Sequence, residues 1–241
     1  PTRRIDTPGK IDGSARFGID ALPDGLLYAS VKMCPTLGGR AQRHDDAAAR
    51  QRRGVKAVVA VPPLNGGTGG VAVIADHPWR ARQAADALDV TWDHGELATF
   101  SSSAALERIA QAARTEKGFA FYETGEVDAA LAGAAQRIDA EYRAPWLAHA
   151  ALEPINCTVL FEGNKATVWV STQVPGLARK AAADALGLPA DAVTVNVMLL
   201  GGGFGRRLEV DFIAQAAAIA KAVPGQPVQT IWSREQDTKH D

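Results

Sequence analysis

The residues best suited to chemistry in this sequence are the run Leu199-Leu200-Gly201-Gly202-Gly203-Phe204-Gly205-Arg206-Arg207. It lies between a strand-like stretch, 192–200, and a helix-like stretch beginning near Glu209, which is where α/β proteins place ligands. Three adjacent glycines lose much backbone freedom on ordering, so they are expected where backbone approaches another group closely or takes a positive φ. The amides of such a loop, backed by a helix N-terminus, form a nest for an anion, and Arg206 or Arg207 could add charge-assisted hydrogen bonds. The loop is not a nucleotide P-loop, because GxxxxGK[ST] is absent, and the dinucleotide pattern GxGxxG fails at Arg206. Taken alone, a tight strand-to-helix turn explains the glycines equally well.

Other reactive residue types carry less. His149 shares no HxH or HExxH spacing with His44, His77, His94 or His240, so no metal site is expected and a packing role is favoured. Cys34 and Cys157 are far apart without CxxC context, which excludes a cysteine-ligated cluster and favours two buried free thiols. Glu153, among apolar neighbours, is expected to cap or pair and not to act as a base. The five tryptophans are dispersed and suit a core or an interface, not a stacking platform.

Positioning these residues requires ordinary globular structure. The chain has 241 residues, 46% hydrophobic and 22% charged, with a net charge of −1, so neither a nucleic-acid partner nor an acidic tail is indicated. No apolar run is long enough to span a bilayer and no signal sequence is visible. The start at Pro1 and the end at Asp241, after a strand-like run, suggest a fragment.

Strands are expected at 25–34, 55–62, 71–76 and 89–93, with helices in 45–53 and over 77–88, the latter burying Ala81, Ala84, Ala85 and Leu88. After a turn-prone stretch at 95–103 the pattern continues with a long strand from residue 136, then a hairpin of CTVLF and ATVWV through Glu162–Lys165. A helix stopped by Gly187, a strand to the glycine loop, a helix and the strand VQTIWS finish the chain. The fold class expected is α/β (α+β), with domains at 1–95 and 104–241.

Four segments in fixed order sharpen this reading. Asp6–Phe17, His149–Thr158, Val170–Pro175 and the GGGFGRR loop, followed by a helix with Asp211 and then Ser233–Asp237, resemble the xanthine dehydrogenase and aldehyde oxidase family of molybdenum hydroxylases. The variant AHAALEPINCT with GGGFGRR is most similar to the isoquinoline 1-oxidoreductase β-subunit type. The resemblance implies a small hammerhead domain at 1–95, followed by an incomplete molybdopterin-binding domain. It implies a molybdenum-molybdopterin cofactor, an iron–sulfur partner subunit that takes electrons, and the remainder of the large subunit as a further partner. Gly202 and Gly203 would let the pterin approach, Phe204 and Gly205 would face the metal ligands, and Arg206 would join them in holding the cofactor.

Departures narrow the expectation. Leu147 stands where many members carry a glutamine that touches the metal's oxo ligand, and Leu208 stands where purine-oxidising members carry a glutamate. A flat heteroaromatic or an aldehyde is therefore a better substrate than xanthine. The family's catalytic glutamate falls beyond Asp241, so no catalytic residue is assigned and this stretch alone is expected to hold no molybdenum. Export to the periplasm or membrane surface is suggested by the resemblance. The competing expectation is a related module that only assembles or scaffolds.

Overall fold

The computed structural model describes residue 2 and residues 4–240. Strands β1 (Leu27–Met33), β2 (Arg40–Asp45), β3 (Val55–Val61), β4 (Gly70–Ala75) and β5 (Asp89–Asp93) occupy the first part. Strands β6 (Asn156–Phe161), β7 (Ala166–Val170), β8 (Val193–Val197) and β9 (Pro227–Ile231) follow. The helices are α1 (Thr7–Asp12), α2 (Ala47–Arg50), α3 (Pro78–Asp86), α4 (Ser102–Thr115), α5 (Val127–Ala132), α6 (Pro175–Leu186), α7 (Asp211–Ala220) and α8 (Arg234–Lys239).

Seven strands form one mixed sheet in the order β3-β4-β1-β9-β6-β7-β8, and β2 pairs with β5 in a separate ribbon. β1 runs parallel to β9, with Leu27 opposite Val228, and antiparallel to β4, with Val31 opposite Ala72. The α/β class is as expected. The division at 1–95 and 104–241 is not how the contacts group: Pro1–Ala98 and Ala148–Asp241 form one compact unit and Thr99–Leu147 a second. The reason is the β1–β9 pairing, a long-range contact that local composition cannot report.

The strand β4, Gly-Val-Ala-Val-Ile-Ala, is buried at every residue because both its faces are covered. Ala72 and Ile74 enter the main core with Phe212, Ile213 and Ile219 of α7, while Val71 and Val73 meet Ala84, Ala85 and Leu88 on the other face. The expected burial of Ala81, Ala84, Ala85 and Leu88 thus holds. Pro78 stands in the first turn of α3, where its missing N–H has no helical partner. Cys34 and Cys157 are buried free thiols. Trp232 is buried and donates Nε1–H to Gln215 Oε1 at 2.7 Å, whereas Trp79 and Trp146 are exposed.

The expected strand from residue 136 is absent: 136–146 pairs with no strand among the described residues. The ribbon strand β2 had no clear signal, since its Arg-Ala-Gln-Arg-His-Asp residues are largely exposed.

Gly187 closes α6 in the left-handed region, φ 74°, and the N–H groups of Leu188 and Gly187 reach Ala183 O at 2.9 Å and Asp184 O at 3.2 Å. This doubly bonded C-terminal turn satisfies carbonyls that the helix leaves open. Nothing lies within 4 Å of an added β-carbon, so Gly187→Ala meets only the φ penalty. Urea denaturation should show a loss of about 1 kcal/mol with an unchanged slope.

Candidate functional site

Four donors of the larger unit converge on the Glu153 carboxylate. Its Oε1 accepts from the Ile19 amide at 3.0 Å and from Asn156 Nδ2 at 3.0 Å, and its Oε2 accepts from the Gly201 amide at 3.0 Å. The same Oε2 meets Arg207 Nη2 at 2.9 Å. Arg207 is 0% exposed and donates further to Glu153 O (3.0 Å), Gly202 O (2.8 Å) and Ser171 O (3.4 Å). Burial pulls its guanidinium below the usual arginine range, and the Glu153 carboxylate opposes that pull. A charge moved into such an interior persists when paired and hydrogen-bonded on all sides, which this geometry supplies.

Ser171 ties in the remaining strands: its Oγ accepts from the Gly18 amide at 3.0 Å and donates to Leu199 O at 2.7 Å. Arg207 O accepts from the Gln173 amide at 3.0 Å and from Thr172 Oγ1 at 3.3 Å. The glycine loop is therefore anchored at both ends. Its first residue is clamped to Glu153 and its last to the Ser171–Gln173 segment.

Between the anchors the backbone takes positive φ angles. Gly202 and Gly205 have φ near 111°, and Phe204, a non-glycine residue, has φ 54° with its ring 76% exposed. Ala150, in the stretch facing the loop, has φ 46°. Non-glycine residues held in this region cost on the order of 1 kcal/mol each and tend to collect at functional sites. The amides of Gly202, Gly203, Phe204 and Gly205 have no hydrogen-bond acceptor among the described residues. A β-carbon at Gly202 would meet Ala151, at Gly203 the Gln173 side chain, and at Gly205 the His149 ring. This is a backbone cradle of donors, bordered by Ala151, Gln173 and His149, suited to an oxygen-rich or anionic group.

Gly202, Gly203, Phe204 and Gly205, which the resemblance places against a cofactor, form the loop whose amides lack an acceptor among the described residues. Arg206 is not with them. Its guanidinium is buried and meets Asp211 with two bonds, Nη1–Oδ1 3.0 Å and Nη2–Oδ2 2.9 Å, and donates to His240 O at 3.3 Å. It also lies over the Trp232 ring at 5.5 Å. The cause is a short 3-10 turn, Arg206–Leu208, that starts α7 at Asp211 and not near Glu209. That turn carries Asp211 to the helix start, where a carboxylate is favoured and where the planar guanidinium fits it bidentately. Arg206 is accordingly corrected from a cofactor contact to an internal brace.

Glu153 pairs, as its apolar surroundings suggested, but its partner was not legible. Gln173 was also missed as a neighbour of Gly203; its place in the Val170–Pro175 segment was the available signal. His149 lies at the surface with its ring against Gly205, so it borders the loop and is not a core residue.

Comparison with known proteins bears on what this cradle holds. The family of molybdopterin cofactor-binding domains matches residues 110–241. This chain belongs to that family. Across 99% of its length it is 34% identical to the isoquinoline 1-oxidoreductase subunit beta of Brevundimonas diminuta, covering 31% of that protein. A membrane-bound aldehyde dehydrogenase [pyrroloquinoline-quinone] of Gluconacetobacter polyoxogenes is likewise 34% identical with 31% covered. The chain spans about a third of the length of these relatives. The aldehyde oxidoreductase of Desulfovibrio gigas shares the fold, with a TM-score of 0.73 at 18% identity over 98% of this chain and 30% of that one. The amides of Gly202–Gly205, without an acceptor among the described residues, and the missing side chains at Gly202, Gly203 and Gly205 of this molybdopterin-binding domain fit the family's cofactor, which supplies oxygen-transfer and two-electron chemistry when bound.

Proposed function

We propose that this chain provides part of the cofactor cradle in the molybdenum-binding subunit of an oxidoreductase. The complete subunit would hydroxylate an N-heteroaromatic compound or oxidise an aldehyde, passing electrons to an iron–sulfur partner. The observation that carries the proposal is the row of four amides at Gly202–Gly205 without acceptors among the described residues, in a loop anchored by the Glu153–Arg207 pair. Fixed donors of this kind orient an anionic or oxygen-rich group at no reorganisation cost.

Both substrate classes stand because the two relatives at 34% identity are named for an isoquinoline and for an aldehyde. Leu208, half exposed one turn past the loop, supports a flat apolar ligand, since it offers no polar rim to leave unpaired. A periplasmic or membrane-surface location is part of the same proposal; one relative's name describes it as membrane-bound.

The test uses the complete subunit with its iron–sulfur partner, as wild type and as Gly203→Ala. An added β-carbon would sit 3.0 Å from Gln173 Oε1, the far end of a side chain that can rotate, so the fold should survive. Molybdenum content or dye-linked turnover of isoquinoline and of an aldehyde should fall about tenfold or more, the equivalent of about 1.4 kcal/mol. Full occupancy and full turnover in Gly203→Ala would remove Phe204 and Gly205 from the cofactor face. Wild-type subunit loaded with molybdenum but inert toward both substrate classes would sink the activity proposed.

A further inference from the structure

Residues 137–146 read Arg-Ile-Asp-Ala-Glu-Tyr-Arg-Ala-Pro-Trp, an alternation of polar with apolar residues that holds up to Pro145. Period-two alternation of this length suits a strand with one face buried. Yet neither the seven-stranded sheet nor the β2–β5 ribbon includes it.

Within residues 99–147 the two rows of the segment have different fates. The charged row is engaged: Arg143 pairs with Glu107 of α4, Glu141 with Arg114 of α4, and Arg143 Nε lies 2.6 Å from Glu141 Oε1. The apolar row is open, with Ile138 81%, Tyr142 92% and Trp146 57% exposed. Beside it a hollow of about 300 Å³ is lined by Leu106, Ile109 and Ala113 of α4 together with Tyr142 and Ala144. Ion pairs to α4 thus hold a segment that pairs with no described strand and whose Ile138 and Tyr142 are open, while Trp146 meets the Phe100 ring edge-on at 6.5 Å. A segment with the period of a strand and no strand partner is a template for pairing.

We propose that residues 137–146 become a β-strand by pairing with an extended, apolar-faced segment of the same subunit from outside these 241 residues, which covers the Ile138–Tyr142–Trp146 row. The inference rests on the reading that this chain is part of a longer subunit, as the 31% coverage of its relatives supports. A second copy is the competing occupant, which the experiment below separates: parallel in-register pairing, or antiparallel pairing about Ala140, sets like charges opposite one another, whereas antiparallel pairing about Tyr142 sets Glu141 against Arg143. The single proline, Pro145, falls on the polar row near the end of the segment, where an edge strand tolerates it.

Amide hydrogen exchange of peptides covering 138–146 tests this in the complete subunit and in the 241-residue chain. Exchange should be slower by on the order of a hundredfold in the complete subunit and near the unprotected rate in the chain. Molybdenum-free complete subunit should show the same protection, so failure of the cofactor reading and failure of this one are separable. Tyr142→Lys in the complete subunit should abolish protection over 138–146 while leaving that of β4 and β9 unchanged. Fast exchange of 138–146 in the complete subunit would overturn the proposal, as would protection indifferent to Tyr142→Lys. Protection in the chain alone that grows with concentration would assign the strand to a second copy and overturn it too.

Discussion

Replacing Arg207 with Met is expected to destabilise the chain by about 3–5 kcal/mol, because it leaves the Glu153 carboxylate buried without its counter-charge. The guanidinium also satisfies Glu153 O, Gly202 O and Ser171 O, three carbonyls that methionine cannot reach with a donor. Removing both charges together, Glu153→Gln with Arg207→Met, should cost less than the sum of the single changes, since no lone buried ion then remains. Urea denaturation of the four proteins of this cycle measures the coupling. Near-additive behaviour, with Arg207→Met costing under about 1 kcal/mol, would mean that Glu153 is relieved by solvent and that the pair does not anchor the loop.

A second large effect is expected at Gly201. A β-carbon there would lie 2.4 Å from Glu153 Cβ, which is held by backbone on both sides: Glu153 N–H reaches Gly201 O at 3.0 Å. Unlike the Gln173 amide near Gly203, this neighbour cannot rotate away. Gly201→Ala should therefore cost about 3 kcal/mol, the upper range for forcing a carbon into a packed site, whereas Gly203→Ala should cost under about 1 kcal/mol. Thermal denaturation of the two variants side by side distinguishes a glycine required by packing from one required by the ligand. Equal losses would show that the whole loop is merely a tight connection, the alternative that its sequence alone leaves open.

The contrast between these glycines shows how the site was legible. Three adjacent glycines before a helix marked a close approach of backbone, and the approach is present, but at Gly201 it is to Glu153. At Gly202–Gly205 it leaves amides without an acceptor among the described residues. The arginines were less legible: side-chain type and position made Arg206 and Arg207 equal candidates for an anion. Arg206 is withdrawn by Asp211, which the 3-10 turn places five residues on. Arg207 is withdrawn by Glu153, which lies in another segment altogether.

Elements with a strong local period were readable because burial of one face imposes that period on neighbouring residues. The helix at 78–86, the 156–170 hairpin and the Gly187 stop follow this rule. The segment 137–146 carries the period of a strand without a strand's partner, because alternation reports which side chains want burial and says nothing of what supplies it.

By itself the sequence determined the α/β class, the order of most elements, the glycine loop and membership of the molybdopterin cofactor-binding family, since these rest on periodicity and on motifs within short spans. Tertiary structure alone decided that β1 sits between β4 and β9 and so unites the two ends of the chain in one sheet. It also decided that both loop arginines turn inward and that the amides of Gly202–Gly205 find no acceptor among the described residues. The physical reason is the same in each case. Strand pairing and ion pairing join residues far apart along the chain, and which pairs form depends on distances that exist only after the sheet has assembled.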